Sequence, residues 1–153
     1  MKYDHTQNAP LNLILSAVGF ALLVAAWKIP AQGANLVLMI MAAIFFLLAL
    51  MFGCLTVRVQ GDELLVQFGP LPLFRRGVRY ADVQSVKRGR TTVFDGWGIH
   101  ISPSGGWTWN LWGFDCVDVH FTNGGRLRIG SDDADRLESF LTRQLEQIKN
   151  SAF

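Results

Sequence analysis

At 153 residues the chain holds one modest domain, or a membrane anchor followed by a small one. It is 50% hydrophobic and only 17% charged, a balance unusual for a soluble domain of this size. A formal net charge of +2 argues against a nucleic-acid partner, and two cysteines, Cys54 and Cys116, are too few to frame a disulfide-built secreted module.

Residues 1–10 are expected to form a short N-terminal tail. Two uncharged stretches follow, at residues 11–27 and 36–55. Twenty helical residues span about 30 Å, the hydrocarbon thickness of a bilayer. The pattern therefore predicts a transmembrane hairpin over 11–55, with helices at about 11–28 and 36–55. Trp27 and Lys28 mark an interface, and Pro30 and Gly33 break the helices between them. A cleaved signal peptide is the competing reading of the first stretch, but its n-region carries little positive charge and Ala31-Gln32-Gly33 is a mediocre cleavage site. Most Lys and Arg follow the second helix, starting with Arg58, Arg75 and Arg76, which puts both termini in the cytoplasm. Cys54 falls inside the second apolar stretch and, like Cys116, is expected to be a packing residue.

After residue 55 the period drops to two. Strand patterns run over 55–60, 64–68, 74–80, 83–88, 97–102, 107–111, 116–122 and 126–129, most of them separated by turn residues such as Asp95-Gly96, Pro103-Ser104-Gly105-Gly106 and Asn123-Gly124-Gly125. Ser131 or Asp132 then caps a helix expected at about 132–149, whose apolar face is Leu137, Phe140, Leu141, Leu145 and Ile148. The fold class is thus a membrane-anchored α+β chain. Its cytoplasmic domain, 56–153, is expected to be a barrel or sandwich of seven or eight strands capped by a C-terminal helix.

The stretches LLVQFGPLPLFRRGVRYADVQSV, GWGIHI, WTWNLWGFDCVDVHF and GGRLRIGSDDADRLESFL resemble the PH-like (pleckstrin-homology-like) domains found behind one or two transmembrane helices in bacteria. The resemblance covers roughly residues 55–145 and rests on the order Arg-Arg, Gly-Trp-Gly-Ile, Asn-x-x-Gly-Phe, Arg-Ile-Gly and an acidic helix start. It implies a seven-stranded fold with a helical cap, a place in the bacterial inner membrane as a multi-pass protein, and binding of lipids or proteins. The Lys- and Arg-rich first loop of lipid-binding PH domains is here Gly61-Asp62-Glu63, which would repel phosphate.

Residues 56–90 hold seven Lys and Arg against three acids, whereas 91–153 hold five against eight. Arg75, Arg76, Arg79, Lys87, Arg88 and Arg90 are accordingly the candidates for anionic headgroups, since a cation beside an anionic leaflet gains about 1 kcal/mol. Alternation sets Arg75 and Arg79 on one strand face and Arg76 on the other. Trp107, Trp109 and Trp112 are the candidates for a protein interface, while Trp97 shares its parity with Ile99 and Ile101 and is expected in the core.

His100 and His120 alternate with apolar neighbours and would meet, with Asp118 nearby, only if their strands pair; this spacing singles out no metal. No catalytic motif occurs, and neither apolar stretch carries an interior ionisable residue. Ser16, Gly19, Ala42, Ala43 and Gly53 are expected at helix contacts. The expectation is therefore a non-catalytic module without cofactor, metal or small-molecule substrate. It would serve as adaptor or accessory subunit of a larger membrane complex or as a homo-oligomer; the alternative is a sensor of anionic phospholipid headgroups.

Overall fold

The computed structural model describes residues 3–29, 32–92, 95–102 and 105–151. Lys2, Pro30, Ala31, Pro103 and Ser104, on which parts of the expected topology and turns rest, lie outside them.

The segment expected as a tail contains a strand, β1 (Asp4–Asn8). Two helices follow, α1 (Leu11–Lys28) and α2 (Gln32–Met51). Both are long and apolar enough to cross a membrane, and most of their residues are exposed. They pack through small side chains. Gly19, Ala26, Ala42 and Ala49 are buried, with Met51 at the end of α2, and a Cβ built on Gly19 would stand 3.2 Å from the Phe46 ring. Ala43, expected at this contact, is exposed.

The second helix stops at Met51, earlier than its apolar run suggests. Phe52 leaves the helix to stack near Phe68 and Phe74, at ring centroid distances of 5.4 and 5.6 Å. Cys54 opens β2 (Cys54–Gln60), so the thiol expected in the membrane segment belongs to the sheet. Core contacts of the body, rather than hydropathy, set this boundary.

β2 turns into β3 (Glu63–Phe68), which pairs with β4 (Phe74–Arg79). β1 pairs antiparallel with β2 from Asp4 opposite Arg58 to Asn8 opposite Cys54, giving a sheet in the order β1-β2-β3-β4. The residues before α1 and after α2 thus share one ladder, which holds both ends of the hairpin on one side. A 3-10 turn (Tyr80–Asp82) leads to β5 (Val83–Arg90), followed by β6 (Gly98–Ile101), β7 (Trp107–Asn110), β8 (Asp115–Phe121) and β9 (Arg126–Gly130). Their order is β5-β8-β9-β7-β6, with β7 and β9 parallel. The two sheets are not closed into a barrel.

Leu55, Val57, Leu64, Val66 and Phe68 of the first sheet join Val117, Val119, Leu127 and Ile129 of the second in one core. Helix α3 (Ala134–Ser151) seals it with Leu137, Phe140 and Leu141. The Ser131 hydroxyl, expected as a cap, accepts the Asp133 N–H at 3.0 Å in the turn before this helix, and the Asp133 carbonyl takes the first helical bond, from Leu137. Tyr3 is 2% exposed and stacks on Phe140 at 5.5 Å, so the start of the chain is fastened to its C-terminal helix.

Candidate functional site

The domain meets the helix ends through the segment between β3 and β4. Gly69 has φ +66°, and a Cβ there would lie 2.5 Å from the Met51 carbonyl, so backbone rests directly on the end of α2. The prolines Pro70 and Pro72 keep residues 70–73 out of the ladders, and Leu71 and Leu73 are exposed. Phe74 then enters β4 against Phe52. On the opposite side, Leu11 and Phe52 form a cleft with Trp97, Ile99 and Leu111. Exposed Phe74 and Trp97 therefore lie beside the ends of α1 and α2, and exposed Leu71 and Leu73 fall in the short segment between Gly69 and Phe74. The strand patterns leave 69–73 unassigned; the signal there is the apolar run Leu71-Pro72-Leu73-Phe74 ahead of two arginines.

Trp97 is 46% exposed, which corrects its expected place in the core. Gly98 takes φ +98° at the start of β6 and breaks the alternation that would have linked Trp97 to Ile99. Trp97 instead stacks on Trp112 at 4.6 Å, and the Trp112 carbonyl accepts the Gln7 amide at 2.8 Å. Trp109 is buried and packs 5.8 Å from Phe68, leaving its indole N–H without an acceptor. Of the three interface candidates Trp107 is the most open, 43% exposed at the far end of β7.

The six basic candidates fall on two sheets. On β4, Arg75 and Arg79 point outward while Arg76 shares the inward parity of Phe74 and Val78 and is half-buried. Arg79 is held by Asp82 at 3.0 Å, whereas neither Arg75 nor Arg76 has a carboxylate partner among the described residues. Lys87, Arg88 and Arg90 lie on β5, the edge of the second sheet away from β6, and Arg88 is bound by Asp115 and Asp135. Arg75 and Arg76 border a cleft of about 300 Å³ whose other walls are Leu73, Phe74, Ile99, Trp107 and Trp109. Beyond Arg76 a second, polar cleft of about 590 Å³ opens between β4 and the β8–β9 turn, with Glu63, Arg79, Asp82 and Asn123 around it.

The histidine pair does not form. β9 and β7 stand between β8 and β6, so His120 and His100 are on strands that do not touch. One row across the outer face runs Lys87, Asp118, Arg128, Thr108, His100. Asp118 grips Arg128 with both oxygens, at 2.7 and 2.9 Å. Asp95 stands 3.9 Å from Arg128 and accepts the Thr92 N–H at 2.8 Å and the Ser102 hydroxyl at 3.3 Å. The Thr92 N–H, with help from Arg128, holds the Asp95 carboxyl below the usual carboxylate range, and hydrogen bonding to Asp118 raises the Arg128 guanidinium. Burial pushes the Cys116 thiol up to about 11, which makes it a poor nucleophile. Among the described residues no group of three or more His, Cys, Asp or Glu could hold a metal ion. This face pins Thr92, Asp95 and Ser102 beside Arg128.

No protein-family model matches the chain, and a search of curated proteins finds no similar sequence.

Proposed function

We propose that this protein is a non-catalytic binding module with a PH-like body, tethered by a transmembrane hairpin and resting on the bilayer surface. The reading places it in the bacterial inner membrane with both termini and the body on the cytoplasmic side, where its Lys and Arg residues concentrate after the second helix. The observation that carries it is exposed Phe74 and Trp97 beside the helix ends, with exposed Leu71 and Leu73 in the segment leading to Phe74. Apolar and aromatic side chains at that level gain by entering the interfacial region. Support for the PH-like body is the pair of sheets sealed by a C-terminal helix; the body departs from the seven-strand plan in having nine strands among the described residues and a parallel pair, β7 and β9.

The test uses full-length protein in liposomes, with Cys54→Ser and Leu71→Cys carrying an environment-sensitive dye. Docking predicts a blue-shifted dye quenched by doxyl groups at headgroup depth. Emission as in water, unaffected by the quencher, would refute it. A second reading, an adaptor or accessory subunit of a larger complex, is favoured by Ile101 and Trp107, which pair across β6 and β7 and are 66% and 43% exposed. Stoichiometric co-purification of another membrane protein, lost on Trp107→Ala, would establish that reading.

A further inference from the structure

We propose that the seam between β4 and the second sheet is a binding site for one anionic phospholipid drawn from the adjoining bilayer. This rests on the membrane-docked reading above and extends it to a single lipid with a defined pose.

The two clefts along β4 have the polarity order of a phospholipid. The apolar one begins at Phe74, which packs on Phe52 at the end of α2, so it is continuous with the helix ends. Leu73, Phe74, Ile99 and Trp107 wall it, and its volume of about 300 Å³ stands at the lower end of ligand pockets. Arg76 lines this cleft and the polar one beyond it. It faces inward, half-buried, where an unpaired cation is costly, and no carboxylate compensates it among the described residues. A diester phosphate at Arg76, with Arg75 beside it, supplies that charge in the bidentate geometry guanidinium favours.

Trp109, 7% exposed, closes the floor of the apolar cleft with its ring. The acyl chain then lies along Leu73 and Phe74 toward the membrane. The headgroup reaches the cleft of about 590 Å³, where Glu63 and Asn123 meet hydroxyl groups. Asp82 is already engaged by Arg79, and Arg75 and Arg76 outweigh the remaining carboxylate, Glu63, so the seam stays net positive and favours an anionic over a zwitterionic lipid.

The experiment titrates acyl-brominated phosphatidylglycerol, or acyl-brominated phosphatidylcholine, into phosphatidylcholine nanodiscs holding the full-length Trp27→Phe protein, with tryptophan quenching as the readout. The expected result is quenching at lower mole fraction by the anionic lipid. Arg76→Gln should raise the half-quenching mole fraction of brominated phosphatidylglycerol about fivefold, the loss of one cation at an anionic headgroup. Arg90→Gln, on the far strand β5, should leave it unchanged. Unreactive Cys116 in each variant certifies an intact fold. Equal quenching by both lipids would overturn the site while leaving surface docking intact. An equal effect of Arg90→Gln would reduce the preference to diffuse charge and also overturn it. No quenching by either lipid would overturn the site and the docked reading together.

Discussion

Removing the Asp118 carboxylate isolates the charge of Arg128, and the structure gives the size of the effect. Arg128 is 9% exposed and donates two short hydrogen bonds to Asp118, at 2.7 and 2.9 Å. Breaking a buried ion pair from one side costs about 3–5 kcal/mol, because the remaining charge keeps its desolvation penalty. Asp95 remains at 3.9 Å and offsets part of this, so Asp118→Ala should cost about 3 kcal/mol, about a hundredfold in the opening equilibrium. Cys116 reports the opening. It is fully buried, and both its sulfur and the Asp118 carboxylate crowd the Cα of Gly89, at 3.2 and 2.9 Å from a Cβ built there. In the Cys54→Ser background the rate of thiol labelling at Cys116 should rise about a hundredfold in Asp118→Ala, in proportion to the open population. The double variant Asp118→Leu/Arg128→Leu should label more slowly than Asp118→Ala, since it strands no cation and leaves Asp95 its Thr92 and Ser102 donors. If the double variant opened as much as Asp118→Leu and Arg128→Leu summed, the ion pair would carry no coupling and the reasoning would fail.

Tyr3→Ala should destabilise the body by about 3 kcal/mol, since it empties a site 2% exposed under Phe140. Tyr3→Phe should cost less than about 1 kcal/mol because the hydroxyl reaches Asp133 only at 3.5 Å; urea unfolding followed by tryptophan fluorescence compares them, and equal losses would deny the ring its packing role. Gly69→Ala, forcing φ +66° on an alanine whose Cβ meets the Met51 carbonyl at 2.5 Å, should cost about 3 kcal/mol; a loss under about 1 kcal/mol in the same assay would mean that the joint gives way. In alkali, the folded Cys116 and Tyr80 ionise at about 11 and 12 instead of 9.0 and 10.0, because burial disfavours their anions. Both groups therefore contribute stability that is whole below the unfolded values and lost as pH climbs through the folded ones. Unfolding midpoints should fall from pH 9 to 12, and a flat profile there would contradict the burial argument.

Most of β2 to β9 is legible because apolar and polar residues alternate between turn signals, β3 instead reading as the short apolar run Leu64-Leu65-Val66, and α3 is legible because its apolar face repeats at three and four residues. β1 was illegible for a physical reason. Asp4-His5-Thr6-Gln7-Asn8 carries no apolar residue, and its place comes from pairing with β2 and from Tyr3 beside it. Hydropathy likewise could not see that Phe52 is claimed by Phe68 and Phe74. The basic and aromatic candidates were named from local density, yet what joins Arg75 and Arg76 to Trp107 and Trp109 is the approach of β4 to the second sheet, about thirty residues away along the chain. The parallel insertion of β9 beside β7, which separates His100 from His120, is equally non-local.

The β1 strand also bears on how the hairpin presents the body. A domain hung from one helix by a single linker can tumble about that linker. Here the chain is fixed on both sides of the hairpin, by β1 and β2 in one ladder and by Gly69 packed against Met51. His5 meets Asp132 at 2.5 Å and Gln7 meets the Trp112 carbonyl, so the strand before α1 is bound to the second sheet and to the start of α3 as well. Tilting the body against the helices would lift Leu11 and Phe52 off the core and Gly69 off the Met51 carbonyl. The tether therefore selects which end of the body faces the helices. That end carries Phe74 and Trp97, with Leu71 and Leu73 in the segment leading to Phe74, large apolar side chains left exposed by a body with a well-filled core.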